Sequence, residues 1–150
     1  MKEHYTTYSQ AVKLKELGFD EPCEFYYNPH QEIRRTKTNL LSPQITNNRF
    51  LEEIAKGMAT APRLDQAQAW LRDCKDTIVI AEPDWDEEIQ CLSDYLTGKW
   101  YFTVWKDSNR VRCNFNPNKE CEEIWLFESY ELALSDGISG ALELLTLNTK

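Results

Sequence analysis

The C-terminal part of the chain carries its strongest structural signal, an apolar stripe that repeats with the period of an α-helix. Ser129 stands where the N-cap of this helix is expected. The stripe then follows about four helical turns through Tyr130, Ala133, Leu134, Ile138, Ala141, Leu142 and Leu145. Gly137 and Gly140 lie inside the stripe and would permit a close backbone approach, for example to a sheet. A helix of this kind must bury its stripe against another element, so the rest of the chain has to provide an apolar surface.

Two segments upstream are strand candidates for that surface. Residues 77–81 are β-branched and apolar on both faces, which indicates a buried strand. Residues 99–105 are rich in aromatic side chains, and the turn at 106–109 leads into alternating apolar residues at 111–115. Residues 23–27 and 124–127 are shorter candidates. These runs predict a small sheet beneath the C-terminal helix.

Capping residues and apolar periodicity predict further helices at 8–17, 50–58, 62–74 and 84–96. Thr7 and Gln10 have the spacing of a capping box, and Gly18 stands where a C-terminal cap is expected. Asp84 can cap the helix at 84–96, and Gly98 can end it. The element order therefore predicts one α+β domain over residues 1–150, with a mixed or antiparallel sheet of three to five strands packed by about five helices.

Residues 28–47 break this pattern with Asn28-Pro29 and Ser42-Pro43. An irregular loop of this length is unusual in a compact domain, and such loops are either functional or flexible connections. Both interpretations are open from the sequence.

The charge of the chain is unevenly distributed. The 150 residues include 25 acidic and 17 basic side chains, for a formal charge of −8, so a general affinity for nucleic-acid backbones is not expected. Residues 81–96 and 120–150 together hold thirteen acidic residues and one basic residue, which leaves the remainder mildly basic. Side by side, these segments would form an acidic face that could occupy a basic groove on another protein. The residues assigned to this face are Asp84, Asp86, Glu87, Glu88, Glu122 and Glu123. The alternative is two helix surfaces kept soluble by charge.

The aromatic strand at 99–105 is the second candidate surface. Alternation places Trp100, Phe102 and Val104 on one face and Tyr101, Thr103 and Trp105 on the other. One face must meet the core, while the other could stack a nucleotide or dock a partner protein unless helices cover both. The residues predicted for this ligand or partner surface are Trp100, Tyr101, Trp105, Lys106, Arg110 and Arg112.

Signatures of catalysis and metal binding are weak. The sequence contains no phosphate-binding glycine loop, zinc-protease motif or hydrolase elbow. Its five cysteines have no CxxC spacing, and its histidines are His4 and His30 alone, so no metal or cofactor is predicted. The acidic run at 82–88 lacks the spacing of a calcium loop. A hydrolase that uses carboxylates or His30 is the third functional alternative.

Three segments resemble small soluble proteins carried by phages and prophage-like elements of gut Bacteroidales. The first segment is AVKLKELGFDEPC at residues 11–23, followed by Tyr26 and Tyr27. The second combines residues 61–62, 66–67 and 70–72, and the third combines residues 129–134 and 141–142. The resemblance covers about a third of the chain. It implies an accessory role in a mobile element and supplies no catalytic residues.

The leading hypothesis is a cytoplasmic, non-catalytic protein that acts by binding another protein. No apolar run is long enough for a membrane span or a secretion signal, so no membrane association is expected. The alternative is a small-ligand or nucleotide binder that uses the aromatic strand. Self-association is compatible with both hypotheses.

Overall fold

The computed structural model describes residues 4–36, 45–50, 57–85, 96–113 and 126–147. Three α-helices lie in these ranges: α1 Tyr8–Glu16, α2 Leu64–Lys75 and α3 Tyr130–Leu147. Six strands accompany them: β1 Phe25–Tyr27, β2 Ile33–Arg35, β3 Ala59–Thr60, β4 Thr77–Trp85, β5 Leu96–Lys106 and β6 Asn109–Cys113. A short 3₁₀ helix covers Asn47–Phe50. The predicted α+β class is confirmed, whereas the prediction of about five helices is not supported.

The chain divides into two compact units, one formed by Met1–Trp70 with Leu145–Lys150 and the other by Leu71–Leu144. Each unit contains an antiparallel three-stranded sheet, with the order β2-β1-β3 in the first and β4-β5-β6 in the second. The single sheet expected from the sequence is therefore two separate sheets among the described residues.

In the first unit, helix α1 begins and ends as its sequence predicts. The Thr7 hydroxyl accepts a hydrogen bond from the Gln10 backbone at 3.3 Å, and the Gln10 side chain accepts one from the Thr7 backbone at 2.8 Å. Gly18 has a φ of +95° after the last turn. The Phe19 amide then donates to the Leu14 carbonyl at 2.9 Å, the pattern of a Schellman motif. Both ends of α1 are thus set by contacts between near neighbours.

Part of the segment predicted to be an irregular loop, residues 28–47, takes part in the first sheet. Tyr26 in the central strand β1 pairs with Arg34 of β2 on one side and with Thr60 of β3 on the other. Ile45 forms an isolated bridge with Cys23, with both N–H···O distances at 2.8 Å. Residues 37–44 lie outside the described part of the chain.

A buried asparagine connects separate segments of the first unit. The Asn47 side chain donates to the Phe19 carbonyl at 2.7 Å and accepts from the Thr60 amide at 2.9 Å. The Phe19 ring packs edge-on against Trp70 with ring centroids 5.4 Å apart. Asn47 therefore satisfies two backbone groups beside the aromatic core.

In the second unit, β4 and β5 pair along most of their length, with Val79 opposite Val104. The predicted turn between β5 and β6 is confirmed at Asp107 and Ser108, which have φ values of +50° and +65°. Helix α3 covers one face of this sheet. An ideal Cβ atom on Gly137 would lie 2.7 Å from Val79 Cγ1, which confirms the predicted close approach of the helix to a sheet.

The helix predicted over 84–96 is wrong at both of its ends. Asp84 and Trp85 belong to β4, and Leu96 and Gly98 belong to β5, while residues 86–95 lie outside the described part of the chain. The capping signal at Asp84 is local, whereas pairing between Trp85 and Leu96 extends the ladder of the long strands. Tertiary pairing outweighs the helix signal here.

The predictions for the two shorter segments are only partly tested. Residues 51–56 of the helix predicted over 50–58 lie outside the described residues, and Gly57 is in a turn with a φ of +82°. In the strand candidate at 124–127, Phe127 forms a bridge with Trp100, and residues 124–125 are outside the described ranges.

Candidate functional site

The second sheet has two chemically different faces because side chains alternate along its strands. Val79, Phe102 and Val104 are buried on the face that α3 covers. The residues of the opposite face are Ile78, Ile80 and Glu82 on β4 and Tyr101, Thr103 and Trp105 on β5. We call this surface the Ile78 face.

One end of the Ile78 face is apolar. Ile78 is 42% exposed and pairs across the ladder with the half-buried Trp105. The Trp105 indole N–H donates to the Thr103 hydroxyl at 3.2 Å, so its polar atom has a partner within the sheet. An aliphatic side chain and a fixed aromatic ring thus lie next to each other on a regular strand pair.

Opposite charges lie near the two ends of this face. The Tyr101 hydroxyl donates to a Glu82 carboxylate oxygen at 2.8 Å at the end away from Ile78. At the other end, the exposed Arg110 of β6 is the register partner of Trp105. The apolar residues are therefore flanked by an anion on one side and a cation on the other.

The structure separates the residues that the sequence assigned to the aromatic surface. Tyr101 and Trp105 lie on the Ile78 face, as alternation predicts. Trp100 lies on the other face, where its ring contacts Tyr130 with centroids 5.4 Å apart. Lys106 donates to the Lys75 carbonyl at 2.8 Å. Arg112 is the register partner of Val104. Because Trp100 and Trp105 lie on opposite faces, the six predicted residues do not all share one face.

The isoleucines of this face were missed by the sequence analysis. Residues 77–81 were predicted to be buried on both faces, but Ile78 is exposed and Ile80 is half-buried. The composition of the strand could not reveal this, because the exposed side depends on which face α3 covers. The signal in the sequence was that Ile78 and Ile80 alternate with Val79 and so must share one face of β4. Which face of β5 this adjoins depends on the strand register, which the sequence does not give.

The predicted acidic face falls largely outside the described residues. Asp84 lies in β4, whereas Asp86, Glu87, Glu88, Glu122 and Glu123 belong to segments that are not described. The juxtaposition of the two acidic segments therefore stays a prediction.

Cys23 and His30 are two candidate reactive side chains within the described residues. Burial raises the pKa of the Cys23 thiol to about 11, which keeps it protonated and poorly nucleophilic near neutral pH. His30 is exposed in the turn between β1 and β2, where its backbone N–H donates to Asn28 at 2.9 Å. Among the described residues, no group of three or more histidine, cysteine or acidic side chains could hold a metal ion.

No helix in the described ranges is long and apolar enough to cross a membrane. Comparisons of the chain with protein-family models, with curated proteins and with solved structures found no match. The resemblance to proteins of Bacteroidales phages therefore stays a prediction.

Proposed function

We propose that the protein is a non-catalytic binding protein that docks on a partner protein through the Ile78 face. The observation that carries this proposal is the exposure of Ile78, at 42%, beside Trp105 on a regular strand pair. Covering an aliphatic side chain and an aromatic ring removes apolar surface from water, and this provides the main driving force of most protein association.

The residue types on and beside this face suit a protein partner. Tryptophan, tyrosine and arginine are the side chains that most often dominate interface energies, and Trp105, Tyr101 and Arg110 supply all three types. The Trp105 indole N–H already donates to the Thr103 hydroxyl, so a docked partner need not supply an acceptor for it.

The charges indicate how the partner would be oriented. A basic group on the partner would be matched by Glu82, and an acidic group by Arg110. The expected partner surface is therefore apolar at its centre with one charge of each sign at its rim.

A nucleotide ligand on the same strand is less well supported. Arg110 supplies one cation beside Trp105, but Lys106, the other predicted cation, donates to the Lys75 carbonyl and to Asp107. Trp100 packs against Tyr130 on the other face, so the aromatic platform loses one of its three predicted rings.

The proposal is tested by comparing Ile78→Glu with Leu132→Glu as baits for quantitative capture from a lysate of a gut Bacteroidales host. The lysate is chosen because of the phage resemblance. Leu132 on α3 is 46% exposed, so the control introduces the same charge at a similarly exposed aliphatic position. Each captured protein is then retested in purified form by titration against both variants.

We expect a purified partner to lose roughly tenfold or more in affinity for Ile78→Glu, because a charge would be buried at the centre of the contact. The Leu132→Glu variant should bind that partner like the wild type. Equal binding by both variants, or the absence of any partner that binds in purified form, would refute the proposal.

A further inference from the structure

The outer edge of the first sheet carries backbone groups that point away from their own sheet. The Asn28 backbone N–H donates to the Glu32 carbonyl, and the Thr36 backbone N–H donates to the Glu24 carbonyl, each at 3.0 Å. Because hydrogen-bonded pairs alternate in an antiparallel ladder, Tyr26 and Arg34 form the next hydrogen-bonded pair. The N–H and C=O groups of Ile33 and Arg35 therefore point outward from β2.

The same alternation is visible on the opposite side of β1. The Phe25 carbonyl accepts from the Ala61 amide at 2.9 Å, on the side of β3. The backbone hydrogen-bonding groups of Phe25 thus point away from β2, as expected if Phe25 and Arg35 form a non-hydrogen-bonded pair. Within the described residues β2 pairs only with β1, so Ile33 and Arg35 define an edge at which a further strand could add.

Two cavities flank this edge. One has a volume of about 880 Å³ and includes Tyr26, and the other has a volume of about 560 Å³ and includes Tyr27. Tyr26 and Tyr27 are adjacent in β1 and point to opposite faces of the sheet, so each cavity reaches a different face of β1. Both are also lined by Ile33 and Arg34 of β2. A strand added to this edge would direct alternate side chains toward the two cavities.

The cavities differ in the chemistry that they offer. Arg35 lines the larger cavity alone, whereas Arg34 lines both cavities. Each arginine contacts one carboxylate, of Glu32 or Glu24, at 2.6 Å, and both side chains are more than half exposed. A guanidinium has five N–H donors, so each arginine can receive a second acidic group. The smaller cavity adds the rings of Tyr5 and Tyr8, which favour apolar side chains.

We propose that β2 accepts an extended segment of a partner protein as a fourth strand of the first sheet, and that this segment alternates acidic and apolar residues. Backbone hydrogen bonds to Ile33 and Arg35 would supply affinity, and the two cavities would select the alternate side chains. This surface belongs to the first unit and is independent of the Ile78 face.

The test uses a short blocked peptide of alternating Glu and Val as the probe, with binding to the full chain followed by fluorescence anisotropy and by amide chemical shifts. Two matched peptides carry N-methyl groups, one on the Glu amides and one on the Val amides. Only one of these two sets of amides can face β2 in an added strand. The protein variants are Arg35→Glu and, as a control, Arg72→Glu at an exposed arginine that lines neither cavity and pairs with Asp73.

We expect the unmodified peptide to bind and to shift the amides of Ile33 and Arg35. One N-methylated peptide should bind roughly tenfold more weakly or worse, while the other keeps most of the affinity. Arg35→Glu should weaken binding roughly tenfold and Arg72→Glu should not. No binding, equal effects of the two methylation patterns, or equal effects of the two protein variants would each overturn the proposal. Circular dichroism of Arg35→Glu shows whether the variant is folded, and the methylation comparison does not depend on that variant.

Discussion

Gly137 of α3 lies so close to Val79 of β4 that a Cβ atom on the glycine would stand 2.7 Å from Val79 Cγ1. The same atom would lie 3.1 Å from Phe102 Cγ. Real Cβ atoms do not approach other carbon atoms to 2.7 Å, so the close contact is possible only because glycine has no Cβ atom. Helix α3 therefore packs directly against the second sheet at Gly137.

We expect Gly137→Ala to destabilise the protein by about 1–3 kcal/mol, because the added methyl group overpacks the contact with Val79. In an exposed helix the same change would stabilise the protein by up to about 1 kcal/mol, so the sign of the effect reports on the packing. Urea unfolding measures it. Val79→Ala should cost less in the Gly137→Ala background than in the wild type. A midpoint for Gly137→Ala at or above that of the wild type would contradict the close approach.

Thr7→Ala should reduce stability by about 1 kcal/mol, because the Gln10 amide loses the hydroxyl that caps it. Thr7→Ser keeps this oxygen and should recover most of the loss. Thermal unfolding of the three proteins makes the comparison. Equal melting temperatures for the alanine and serine variants would show that the capping box contributes little to stability.

Asn47→Leu should be the more damaging change, costing about 2–4 kcal/mol, because the Phe19 carbonyl and the Thr60 amide would both lose a buried partner. The control is Asn48→Ala at the neighbouring exposed position, where loss of the side-chain hydrogen bond to Asp20 should cost less than about 1 kcal/mol, since the backbone amide still donates to Asp20. Urea unfolding compares both variants with the wild type. Similar losses at the two positions would contradict the bridging role of Asn47.

Alkylation should distinguish Cys23 from Cys74. Cys23 is buried and its pKa is raised to about 11, whereas Cys74 is exposed on α2. Iodoacetamide labelling near neutral pH, mapped by peptide mass spectrometry, should therefore modify Cys74 well before Cys23. Rapid labelling of Cys23 in the folded protein would contradict its burial.

The same thiol should make stability fall in alkaline solution. Its folded pKa, about 11, lies above the reference value of 9.0, so the unfolded chain loses this proton first as the pH rises. The contribution of Cys23 to stability is therefore complete below about pH 9 and is lost progressively toward pH 11. Urea unfolding of the wild type and Cys23→Ala across this range should show a shallower decline for the variant.

Ser108→Gly should stabilise the hairpin between β5 and β6 by about 1 kcal/mol, because Ser108 has a φ of +65° and glycine adopts this conformation without a steric penalty. Ser9→Gly in the first turn of α1 should have the opposite effect and cost roughly 0.5 kcal/mol or less. Thermal unfolding compares the two variants. A destabilising effect of Ser108→Gly would contradict the turn geometry.

Much of the local structure could be predicted from the sequence because its causes lie within a few residues. Thr7 and Gln10 stand three positions apart, and Ser129 caps α3 by accepting from the Leu132 amide at 3.2 Å. The alternation that separates Trp105 from Val104 is likewise a property of any extended chain. These features need no knowledge of distant segments.

The short strands β2 and β3 could not be predicted in the same way. β3 has two residues, Ala59 and Thr60, and is a strand only because it pairs with β1. Asp84 shows the converse case, since a sound helix-capping signal lies within a strand whose ladder continues to Trp85. In both cases the deciding partner is distant in the sequence.

The sequence by itself determined the α+β class, the caps of α1 and α3, the turn at Asp107 and Ser108, and the uneven charge of the chain. The tertiary structure alone decided that the described strands form two sheets, which face of β5 is covered by α3, and that Ile78 is exposed. The physical reason is that alternation separates the faces of a strand without saying which face another element will cover. In the second sheet that choice is made where Gly137 lets α3 settle onto Val79 and Phe102, which leaves Ile78 on the opposite side.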